Sequence, residues 1–107
     1  MASVGLHEEK DSLDPKTIDL HRAIVSLMEE LEAVDWYQQR ADATRDTQLK
    51  AVLEHNRDEE MEHAAMVLEW IRRTTPVMDR FLRTYLFTEG DITKIEKAAT
   101  GGGKSKV

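Results

Sequence analysis

The chain has 107 residues, 40% of them hydrophobic and 34% charged, the balance of one small soluble domain. Asp and Glu number 21 against 15 Lys and Arg; the net charge of −6 argues against nucleic acid and anionic membrane as partners and suits cations. There is no cysteine, which excludes disulfides, thiol catalysis, iron–sulfur clusters and thiolate zinc sites together.

Residues 1–13 are polar and aperiodic, and read as a flexible N-terminal arm. They lack the basic-then-apolar order of a secretory leader, and no later run approaches the ~18 apolar residues of a membrane span. Asp14 before Pro15 predicts a helix start, with the aspartate as N-cap and proline at the first helical position. A helix is expected from there to about Ala43, with an apolar stripe of Ala23, Leu27, Leu31 and Val34 flanked by Ile24 and Met28. The stretch 43–48, Ala-Thr-Arg-Asp-Thr-Gln, reads as a tight turn with Asp46 capping a second helix. That helix is expected from about Thr47 to Arg73, where Thr-Thr-Pro stops it. Residues 77–87 predict a short amphipathic helix ended by Gly90, and 91–99 one more short helix. Residues 100–107 read as a flexible tail. The helical domain thus spans 14–99. The expected fold class is all-α: a long antiparallel two-helix hairpin plus a short C-terminal helix. One hairpin has two apolar stripes but half the neighbours of a bundle, so dimerisation into a four-helix bundle is expected.

The second helix carries a fault in its stripe. One face runs Asn56, Glu60, His63, Ala64, Val67, Ile71, placing an acid and an imidazole among apolar residues. A buried carboxylate is costly unless paired or bound to metal. With the turn centred at Arg45, Glu30 lies 15 residues before it, Glu60 15 after and His63 18 after, so an antiparallel hairpin brings all three to one height. Glu60 and His63 are neighbours one turn apart. Pairing with bases does not easily explain the cluster: no Lys or Arg falls between Arg22 and Arg40, and only Arg57 lies close to Asp58, Glu59, Glu60 and Glu62. Carboxylate oxygen with imidazole nitrogen suits iron, manganese or zinc. A Glu on one helix and Glu-x-x-His on the next is half of a di-iron carboxylate set, which a symmetric dimer would complete.

Other polar residues have simpler readings. Glu29 and Glu32 lie off the stripe, where a solvated acidic face is slightly favoured over a cation-attracting vestibule. His55 and Glu59 read as a surface pair, and His7 and His21 as structural or exposed. Trp36 and Trp70 read as packing residues. Tyr37 shares the face of Glu30, either bonding a ligand carboxylate or filling the core.

Three segments, His-Arg-Ala-Ile-Val-Ser-Leu-Met-Glu-Glu-Leu-Glu-Ala-Val-Asp-Trp-Tyr-Gln-Gln-Arg-Ala-Asp (21–42), His-Asn-Arg-Asp-Glu-Glu-Met-Glu-His-Ala-Ala-Met-Val-Leu-Glu-Trp-Ile-Arg-Arg (55–73) and Arg-Thr-Tyr-Leu-Phe-Thr-Glu-Gly (83–90), together resemble the encapsulated ferritins of bacteria and archaea. The resemblance implies a half-ferritin chain, a homodimer that completes a four-helix ferroxidase bundle, and an annular homodecamer. It implies di-iron ligands at Glu30, Glu60 and His63 of two chains, a supporting tyrosine at Tyr37, an acidic metal-attracting patch at Glu29 and Glu32, and Trp36 in that channel. Other divalent metals such as Zn, Mn or Ca are expected to fit the sites. The implied activity is oxidation of Fe(II) to Fe(III) by dioxygen. An open ring holds no mineral, so the iron is expected to be stored inside an encapsulin shell in the cytoplasm. Encapsulated members normally end in a Gly/Leu/Ile/Ser-rich docking peptide. This sequence ends Gly-Gly-Gly-Lys-Ser-Lys-Val, so that peptide is expected to be absent from it. Alternatives are a non-catalytic metal-binding module, a rubrerythrin-like peroxidase and a purely structural helical dimer.

Overall fold

The structure is a computed structural model that describes residues 5–100. The tail expected at 100–107 and the first residues of the N-terminal arm therefore lie largely outside the described residues. Within the arm, Lys10–Ser12 form a single 3₁₀ turn. Four α-helices follow: α1 Pro15–Ala43, α2 Thr47–Thr74, α3 Pro76–Tyr85 and α4 Ile92–Ala99. No strand occurs among the described residues.

The helix boundaries follow local chemistry. The Asp14 side chain accepts the Lys16 N–H at 2.8 Å, and Pro15 opens α1. At the hairpin turn, Thr44 Oγ1 accepts the Asp46 N–H at 3.2 Å, and Asp46 Oδ1 accepts the Leu49 N–H at 2.9 Å. Asp46 is thus the cap of α2, and Asp46→Ala is expected to destabilise the fold by about 1 kcal/mol. Urea unfolding followed by circular dichroism measures this; an unchanged midpoint would contradict the capping role.

Two compact units divide the chain, one ending at Ile71 and the other beginning at Arg72. In the first, α1 and α2 form the hairpin. Ala41, Ala64 and Ile71 are its buried apolar residues, and Lys50 Nζ bonds the Ala41 carbonyl across the turn at 3.1 Å. The α2 stripe Asn56, Glu60, His63, Ala64, Val67, Ile71 holds: Ala64 and Ile71 are buried and the other four are half-buried. Yet Ile24, Met28, Leu31, Met61, Met66 and Trp70 stay exposed. Large apolar side chains left in water on this scale need further cover.

In the second unit, Thr75 adopts an extended conformation before Pro76, and α3 starts at once. Asp79 Oδ1 accepts from Arg72 at the end of α2 and from Arg83 Nε at 2.9 Å. Leu86 ends α3, Phe87 sits at φ 62° and Gly90 at φ 92°, a left-handed turn that only the glycine adopts at little cost. Asp91 then caps α4 through the Thr93 and Lys94 amides, and α4 lies against α3.

The Arg72 guanidinium, followed by that of Arg83, holds the Asp79 carboxyl below its ordinary value of 3.8. A depressed folded-state value means that this contribution is full above about pH 3.8 and is lost as pH falls through the lower folded value. Asp79→Asn is therefore expected to remove part of the acid sensitivity of α3 while weakening it at neutral pH. Amide exchange on α3 at pH 3 and pH 6 measures both effects. Equal acid sensitivity in the two proteins would contradict the role.

Candidate metal centre

Glu30 comes from mid-α1, and Glu60 and His63 from mid-α2. One ligand atom from each lies within 4.8 Å of the others, and all three residues are half-buried. The antiparallel hairpin explains the meeting: residues equidistant from the turn share a height, and α2 offers Glu60 and His63 from adjacent turns. His63 Nδ1 stands 3.4 Å from Glu60 Oε1, which orients the imidazole and carboxylate toward each other.

Glu30 Oε1 is buried without a hydrogen-bond partner. Buried polar atoms are nearly always satisfied, and an orphaned carboxylate oxygen is among the more expensive exceptions. Two carboxylates close together in a partly dehydrated site repel unless a proton or cation intervenes. A metal ion would satisfy the Glu30 oxygen, relieve the repulsion with Glu60 and accept the imidazole nitrogen. The mixed oxygen and nitrogen donors fit iron, manganese or zinc.

The remaining sequence candidates are not members of this cluster. Glu29 and Glu32 are exposed on α1 and are not part of it. Trp36 is exposed and Tyr37 half-buried. The Arg40 guanidinium lies 5.8 Å from the Trp36 ring centroid and 5.7 Å from that of Tyr37, so one cation rests against both rings. The expected surface pair is present, with His55 Nε2 3.5 Å from Glu59 Oε2. One link escaped the sequence reading: Arg57 Nη1 donates to Gln38 Oε1 across the hairpin at 2.8 Å. Its signal was Arg57 itself, the lone base in an acidic run.

An all-helical hairpin with a Glu and a Glu-x-x-His converging at mid-height has the architecture of half a ferritin-like bundle. Residues 5–89 match the family described as EncFtn-like. An encapsulated ferritin-like protein of Rhodospirillum rubrum is 60% identical over 101 residues, covering 94% of this chain and 72% of its own. A ferritin-like protein of Thermotoga maritima is 54% identical over 99 residues, covering 92% and 87%. The crystal structure of protein ne0167 from Nitrosomonas europaea superposes with a TM-score of 0.79 at 59% identity, covering 82% of this chain and 97% of that one. The chain belongs to the encapsulated ferritin family.

Proposed function

We propose that two chains pair through their hairpins and oxidise Fe(II) to Fe(III) with dioxygen at a di-iron site shared between them. The convergence of Glu30, Glu60 and His63, with one Glu30 oxygen left unsatisfied, is the observation that carries this reading. Fe(II) is the substrate. The two carboxylates attract the +3 product more strongly than the +2 substrate, which favours loss of an electron. His63 completes the donor set, held toward Glu60 by their contact. Tyr37 and Trp36 flank the site on α1, and Glu29 and Glu32 supply negative charge that draws cations toward it. Without metal, carboxylates from two chains repel across the pair; metal that binds only the pair strengthens it by mass action.

In this reading the pairs join into an annular homodecamer, and the ferric product is stored inside an encapsulin shell in the cytoplasm. The names of relatives support that setting: besides the encapsulated protein of Rhodospirillum rubrum, an encapsulin nanocompartment cargo protein of Myxococcus xanthus is 42% identical over 59 residues, covering 54% of this chain and 45% of its own. No helix among the described residues is long and apolar enough to cross a membrane.

The test is to load the protein with Fe(II) without oxygen, then admit either dioxygen or peroxide and follow Fe(III) and oxygen uptake. Oxygen uptake in step with Fe(III), faster than in buffer, is expected. Oxidation that proceeds only with peroxide would assign a peroxidase. Bound iron that oxidises no faster than iron in buffer would leave a metal-binding module.

A further inference from the structure

The half-site has a mechanical weakness. Glu60 and His63 are fixed to each other by one helix, but Glu30 stands on another, and the covalent connection between them runs through the turn 14 to 16 residues away from Glu30. A slip of α1 past α2 by a single residue moves Glu30 by about 1.5 Å. Metal ligation tolerates only about 0.2 Å. Something along the seam must hold the register.

We infer that Arg57 and Gln38 form a strap that fixes this register, and that Arg57 is thereby a positioning residue for metal binding at Glu30, Glu60 and His63. The inference rests on the metal site proposed above. Arg57 lies one turn from Glu60 on the side of the hairpin turn, and its side chain is only 20% exposed. Its Nη1 donates to Gln38 Oε1 at 2.8 Å, and its Nε donates to Asp58 Oδ1 at 3.0 Å. Gln38 is held in turn, its Nε2 donating to Asp42 Oδ1 at 3.1 Å. The guanidinium is therefore fixed on its own helix by Asp58 while its fork grips an oriented amide on the other. The Lys50 bond to the Ala41 carbonyl lies nearer the turn, so the two links pin the seam at two heights below the cluster.

The strap and simple electrostatics predict opposite signs. Arg57 places a positive charge beside a cation site, so on charge alone its removal should tighten metal binding. If register governs, its removal loosens binding, and removing Gln38, which carries no charge, does the same.

The experiment titrates the full-length protein with Co(II) and follows the cobalt ligand-field absorption, with assembly monitored by native mass spectrometry. Arg57→Met and Gln38→Ala are each expected to weaken Co(II) binding about three- to tenfold, at or below the lower end of effects seen for residues that orient ligands directly. The double variant should be no weaker than the worse single, because both remove one bond. Arg57→Lys should recover most of the affinity. Unchanged or tighter binding by Arg57→Met and Gln38→Ala overturns the strap. If Arg57→Met does not assemble, Gln38→Ala decides, since it truncates an exposed side chain and leaves every charge in place. Glu30→Ala separates the two readings. Co(II) bound by the wild type and lost in Glu30→Ala, but untouched in the strap variants, overturns the strap alone. Binding that is absent in the wild type, or unaltered in Glu30→Ala, overturns the site and the strap with it.

Discussion

Glu30→Ala is expected to slow Fe(II) oxidation by on the order of a hundredfold while the protein that lacks metal becomes more stable. The two effects have one cause. In the isolated chain Glu30 Oε1 is buried with no hydrogen-bond partner, and Glu60 lies close by. Alanine removes an unsatisfied group and part of a like-charge repulsion, so the gain in stability should be about 1 kcal/mol. It also removes the only member of the trio that α1 supplies, so binding falls with it. His63→Ala should share the functional loss without the gain, because its imidazole already faces Glu60 at 3.4 Å. Initial rates of Fe(III) formation and thermal unfolding of metal-free protein measure both effects. A Glu30→Ala protein that is less stable and equally active would contradict the assignment of that side chain to a metal.

Ile24→Asp or Leu31→Asp should abolish pairing of the chains and leave a largely unfolded monomer. Ile24 is 41% exposed and Leu31 53%, on the same face of α1 as Met28 at 44%. The hairpin buries only Ala41, Ala64 and Ile71, two of them alanines, so one chain contributes little core of its own. In the proposed pair most of the hydrophobic stabilisation comes from the partner chain, and obligate pairs often have no stable folded monomer. A carboxylate set into that face would be buried unpaired at a cost of several kcal/mol, comparable to the entire stability of a small fold. Sedimentation velocity with far-ultraviolet circular dichroism reads size and helicity together. A folded, helical monomer of either variant would show that the hairpin needs no partner.

The helices were legible because their ends are marked by local chemistry. Asp14 before Pro15 and Asp46 at the turn each act within three residues and cap the helices that their positions imply; Asp91 caps α4 by the same chemistry, which the sequence reading did not assign. The meeting of Glu30 with Glu60 and His63 was legible for a different reason: in an antiparallel hairpin, height is set by distance from the turn, which can be counted. What could not be counted was reach. Arg57 and Gln38 differ in height by more than a turn, and only their long side chains join them. Asp79 reads as an ordinary acid in a short amphipathic helix, yet it gathers Arg72 from the end of α2 as well as Arg83. The α1 stripe of Ala23, Leu27, Leu31 and Val34, flanked by Ile24 and Met28, divides in the structure: Ala23, Leu27 and Val34 are half-buried, whereas Ile24, Met28 and Leu31 are exposed. Periodicity assigns a face and does not say which molecule covers it.

The shared site is tested most directly by counting metal. Native mass spectrometry of protein loaded with Fe(II) in the absence of oxygen should show pairs of chains, or rings of such pairs, carrying two irons per pair. The count should fall to near zero in Glu30→Ala. Iron bound one per chain on separate monomers, or a count indifferent to Glu30, would contradict a di-iron centre built between two chains.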